Sequence, residues 1–233
     1  MRVKNAWIKN VWTKNNWLKK RLPLLLVIMA VSLSAKPIYI VAKAYLAQHL
    51  LNKAWQETLA GNNSKANTQK PWAWADTYPV GRLAFMDEQG NFNNEWIVLA
   101  GFSARTMAFG PAWLQDSAMP NQSGNTVLSA HNDSHFKQLQ NLEIGDKLML
   151  ESKDAQQLTY QVTEITIVEQ NDNRAYEYID GKTLTLITCY PFTISRLPKT
   201  KRLIVQAKAI PTTSHPLLTS SMKYSHQRPS YQY

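Results

Sequence analysis

The chain has 233 residues, 44% of them apolar and 18% charged, with a formal net charge of +10. That length suits one or two domains, and so large a charge first suggests nucleic acid. The distribution excludes it: residues 1–56 hold ten Lys/Arg and no acid, while the remaining sixteen Lys/Arg are matched by sixteen Asp/Glu. A protein that grips phosphates needs its excess charge on a folded surface, whereas here the charge flanks an apolar run.

Residues 1–21 read as a basic cytoplasmic N-terminus, with Arg2, Lys4, Lys9, Lys14, Lys19, Lys20 and Arg21. Residues 22–41 follow as a transmembrane anchor, oriented by positive charge on the cytoplasmic side. Trp7, Trp12 and Trp17 suit the headgroup layer on that side, and Lys36 is placed to snorkel to the outer interface. The alternative is a cleavable signal peptide, because the uninterrupted run is shorter than the ~20 residues a span prefers, with Ser32-Leu33-Ser34 as the cleavage site. Both readings export the rest of the chain; with the anchor retained, the expected location is the inner membrane, with a single pass and a periplasmic domain.

Residues 42–70 are expected to form a juxtamembrane helix over Lys43–Leu59 and then a polar linker from Gly61. A compact domain follows over 71–210. Strand patterns occur at 80–85, 96–100, 127–130, 147–150, 158–168, 184–189 and 203–209, punctuated by turns at Gly90-Asn91, Gly145-Asp146 and Asp180-Gly181. Between Leu158 and Val168 the apolar parity slips, which predicts a bulge or bend. With no long amphipathic helix among them, these strands must close on one another as an antiparallel barrel or sandwich. The fold class is therefore mainly β. Trp72-Ala73-Trp74 is assigned no function. Residues 211–233 are polar, without periodicity, and read as a loose tail.

Three features carry chemistry. Leu184–Phe192 (LTLITCYPF) is a strand pattern ending in Cys189, the chain's one cysteine. An exported cysteine without an internal partner is a reactive thiol, a link to another chain or a buried inert residue. His131 follows a short apolar strand in SAHND, and Arg202 opens the next strand after the cysteine. A thiolate nucleophile needs a neighbouring base or cation, a histidine can later protonate the leaving amine, and a guanidinium is a permanent donor to a developing oxyanion. If the cysteine and arginine strands are antiparallel neighbours, both residues reach one rim. Arg196, in a loop before Pro198, competes with Arg202. Asp133 is a candidate to tune His131, against a plain solvated loop acid. His131 and His135 have the i, i+4 spacing of a metal pair, but the glutamate of HExxH is missing, so no metal is assigned. No Gly-rich phosphate loop or CxxC pair is present, and no cofactor is expected.

Thr185-Leu186-Ile187-Thr188-Cys189 resembles the TLxTC motif of sortases, with a histidine some sixty residues upstream and an arginine about a dozen downstream. Segments 71–83, 107–111, 123–148 and 186–192 are similar to the Gram-negative class in particular. The resemblance spans roughly 42–209. It implies an eight-stranded sortase β-barrel with short helices and a transpeptidase acting on a substrate protein with an LPxTG-like C-terminal sorting signal. Cys189 is then the nucleophile, His131 the acid/base and Arg202 the oxyanion and substrate stabiliser, with Thr188 helping to position substrate. The acceptor is an amine of undefined identity. Two other classes compete. L,D-transpeptidases place Gly before the cysteine and Arg two residues after it, positions held here by Thr188 and Pro191. A membrane-tethered β-domain adaptor would carry an incidental cysteine, and its thiol would alkylate slowly near neutral pH.

Overall fold

The computed structural model describes residues 6–61, 69–87, 89–193 and 198–211, with side chains from residue 21 onward. Arg196, the linker core 62–68, the tail beyond 211 and the side chains of Trp7, Trp12 and Trp17 lie outside the described residues.

The chain opens with one helix, α1 (Ala6–Ala60). It contains both the expected anchor, 22–41, and the expected juxtamembrane helix, Lys43–Leu59, as one continuous element. They join because no glycine occurs before Gly61, so nothing between them favours a left-handed terminating residue. Pro23 and Pro37 are accommodated inside the helix, although each lacks the N–H that would bond four residues back. The helix stops at Gly61, whose N–H bonds the Glu57 carbonyl at 2.9 Å. Residues 21–46 are exposed throughout, and among the described residues this is the one helix long and apolar enough to cross a bilayer. Its last turns are different. Leu51 and Trp55 are fully buried, forming with Leu59 an i, i+4, i+8 stripe. That stripe packs on Ile97 and Leu99, with Phe109 beside them. The Gln48 amide donates to the Phe109 carbonyl at 2.9 Å.

Eight strands follow: β1 (Pro79–Met86), β2 (Phe92–Ala100), β3 (Ala112–Trp113), β4 (Gly124–Ser129), β5 (Lys147–Ser152), β6 (Gln157–Glu169), β7 (Lys182–Tyr190) and β8 (Lys201–Ile210), with a short helix α2 (Ala104–Met107) after β2. They close as a barrel in the order β1-β2-β3-β4-β7-β8-β6-β5. The pairings are antiparallel except β2–β3 and β4–β7, which run parallel. The mainly-β, eight-stranded expectation is thus met. β3 is the strand that the sequence patterns missed. The predicted parity slip is a register shift between Val162 and Glu164 in the β6–β8 ladder. The turn glycines Gly145 and Gly181 have φ of +103° and +84°, which a side chain would strain.

Alternation along the strands sorts residues into two sets. Leu128, Ala130, Leu184, Leu186, Leu203 and Val205 pack inside the barrel. Val127, Ile187, Ile204 and Val168 form a second apolar cluster with Ala175 on the outer face of β4, β7, β8 and β6. Burying each such aliphatic side chain contributes roughly 1.5–3 kcal/mol relative to exposure, so the interior set fixes which residues must point outward. Cys189, Arg202 and His131 have the outward parity.

Candidate active site

β7 and β8 place the thiol and the guanidinium. In their antiparallel ladder Cys189 lies directly opposite Arg202. Both share the outward parity of Ile187 and Ile204, so their Cβ atoms stand about 4.5–5.5 Å apart on one face. Cys189 is a free, half-buried thiol. The Arg202 Nη1 donates to the Lys199 and Lys201 carbonyls, each at 2.9 Å, which ties the guanidinium to the chain entering β8.

β4 brings the histidine. It runs parallel to β7 with Ser129 beside Ile187, so two residues further along each strand His131 and Cys189 come level. Three bonds hold that junction past the end of the ladder. The Ser129 hydroxyl donates to the Ile187 carbonyl at 3.1 Å, and the Ala130 N–H donates to the same carbonyl at 3.3 Å. The Thr188 hydroxyl donates to the Ala130 carbonyl at 2.7 Å. Thr188 is 1% exposed and alternates with the interior set, so its bond joins β4 to β7 inside the barrel and its side chain does not face the outer groove.

Asp133 is exposed, and its charge acts on His135. His135 is buried with its ring edge-on to Trp96, centroids 4.7 Å apart. Burial pushes its pKa down to about 4, the positive charge of His131 adds to that, and the Met107 backbone and Asp133 partly oppose it. Residues 132–136 are turns, so His131 and His135 do not share a helical face. Among the described residues no cluster of three His, Cys, Asp or Glu suits a metal.

Two residues at the site carried no sequence signal. Asn132 is 6% exposed and donates to the carbonyls of Cys189 at 2.8 Å and Pro191 at 3.0 Å. Lys199 donates to the Asn132 side-chain oxygen at 3.2 Å. The outer apolar cluster lies beneath the β6–β7 connection, which Asn125 pins by donating to the Ala175 and Glu177 carbonyls at 3.1 Å each. A groove between that connection and the sheet is lined by Val168, Ile204, Arg174 and Glu177 among others. The register therefore sets Cys189 opposite Arg202, with the segment that carries His131 bonded alongside the end of β7.

A family model described as "Sortase domain" matches residues 90–210. Sortase D of Bacillus subtilis (strain 168) is 31% identical over 133 residues, 56% of this chain. The matched region spans 66% of that relative's length. A Clostridium perfringens sortase D5 transpeptidase has a similar fold, with a TM-score of 0.54 at 18% identity, covering 72% of this chain and 99% of the other. A Clostridium perfringens sortase C, solved with the C-terminal cell wall sorting motif, gives 0.51 at 20% identity, covering 79% and 99%. At these identities the solved structures speak for the fold.

Proposed function

The chain belongs to the sortase family, and on that footing we propose that it is a membrane-anchored cysteine transpeptidase acting on a protein that ends in an LPxTG-like sorting signal. The observation that carries the reading is the direct opposition of Cys189 and Arg202 on β7 and β8, with the His131 strand end bonded alongside. The likeness to a sortase C solved with a cell wall sorting motif supports the substrate class.

The Cys189 thiolate attacks the carbonyl carbon of the Thr–Gly bond, forming the C–S bond and moving charge onto the carbonyl oxygen. The Arg202 guanidinium donates to that oxyanion; its fork suits an oxygen better than a point charge does. His131 gives a proton to the departing glycine nitrogen as the C–N bond breaks, leaving a thioacyl enzyme. An acceptor amine then attacks the thioester, His131 takes a proton from it, and the thiolate leaves.

The anchor is the exposed apolar part of α1 over residues 22–41, with the N-terminus cytoplasmic and the barrel periplasmic. The resemblance of segments 71–83, 107–111, 123–148 and 186–192 supports a reading within the Gram-negative class. The test is an LPxTG-type peptide with capture of the thioacyl adduct by mass spectrometry. The wild-type chain is expected to gain the acyl mass on Cys189, and Cys189→Ala to lose both adduct and cleavage. Unchanged cleavage by that variant rejects the assignment.

A further inference from the structure

We propose that Asn132 is the positioning residue that holds the nucleophile, the acid/base and the oxyanion donor in register. The inference rests on the catalytic reading above. Its basis is that one buried carboxamide touches all three segments. Asn132 follows His131 directly in the chain, so fixing its side chain fixes the turn that carries the imidazole. Its amide nitrogen donates to the carbonyl of Cys189 itself and to that of Pro191. Its oxygen accepts from the Lys199 ammonium, and the carbonyl of that same Lys199 receives the Arg202 guanidinium.

The orientation of the amide is determined by its partners. Two carbonyls can only accept and an ammonium can only donate, so nitrogen and oxygen cannot exchange places. All three bonds are made by a residue 6% exposed, where leaving partners unmade is costly. A loop asparagine serving only to satisfy its own turn would bond backbone within a few residues. This one reaches across 57 and 59 positions to the cysteine's strand end and 67 to the arginine's approach. Misplacement of a reacting group by about 1 Å costs on the order of 100-fold in rate, so the bond network acts on turnover rather than on substrate binding.

The experiment uses the full chain in detergent with two probes, a quenched LPxTG-containing peptide and iodoacetamide. Rates are expressed per alkylatable Cys189. Asn132→Ala deletes the whole network, Asn132→Asp keeps the shape but removes both donors, and Lys199→Met removes only the link to the β8 side. Both Asn132 variants are expected to lower kcat by about 10- to 100-fold with KM within about twofold, and to displace the pH profile of alkylation. Lys199→Met is expected to give a smaller loss of kcat in the same direction. Should Asn132→Ala not fold, Asn132→Asp and Lys199→Met decide. Wild-type kcat per thiol and a wild-type alkylation profile in Asn132→Asp would overturn the proposal, even with a lowered Tm. Failure of the catalytic reading looks different: the wild-type chain leaves the peptide intact or Cys189→Ala still cleaves it, and the alkylation profiles then judge Asn132 without substrate.

Discussion

At position 202 the guanidinium is tied to its own chain through Nη1, and the residue lies opposite Cys189 in the β7–β8 ladder. Arg202→Lys keeps the charge but loses the planar fork. The expected outcome is a fall of about 100-fold or more in kcat with little change in Tm, read from peptide cleavage beside a thermal melt. His135 makes a separate claim, about stability. Its folded pKa, about 4, lies below the ordinary histidine value of 6.5, so the unfolded chain binds the extra proton first. The contribution is fully present above pH 6.5 and is lost as pH falls toward 4, with a magnitude of roughly 3 kcal/mol. Urea denaturation at pH 7 and pH 5 should show the loss, and His135→Gln should flatten it. The residues of the proposed site were legible in the sequence because Cys189, His131 and Arg202 each sit at a strand end, where apolar pattern gives way to chemistry. Asn132 and Lys199 were not, since polar loop residues acquire meaning only from partners more than fifty residues away.

At the scale of elements, the last turns of α1 belong to the catalytic domain. Leu51 and Trp55 are fully buried against β2, so a chain starting at residue 42 is expected to remain folded, while one starting at residue 61 exposes Ile97, Leu99 and Phe109 and loses stability. Trp55→Ala within the longer form should cost about 3–5 kcal/mol by chemical denaturation. Strand patterns were readable wherever one face is buried, and even the β6 bulge announced itself through slipped parity. β3 was invisible because two residues, Ala112 and Trp113, are too few to show alternation. The continuity of anchor and juxtamembrane helix is physical: Lys36 alters polarity without breaking the helix.

For the whole molecule, the apolar stretch 22–41 has no protein covering it. With a retained span, the chain stays in the membrane fraction after alkaline washing; release of a shortened chain would mark a cleaved leader. A reporter active only outside the cytoplasm should work when fused beyond residue 60. The barrel itself could be expected from strand count alone, but its closure and the pairing of β4 with β7 come from contacts distant in sequence.

Around the barrel, β2 lies three strands from β7 and four from β8 in a ring of eight, so the supporting shaft packs on the wall away from Cys189 and Arg202. From Val41 to Leu51 the shaft rises about 15 Å. The helix runs unbroken into the turns packed on β2, so a retained anchor would hold the barrel at a fixed height. On the proposed reading, donor and acceptor chains would have to pass along the open side of the barrel within a shallow layer above the lipid.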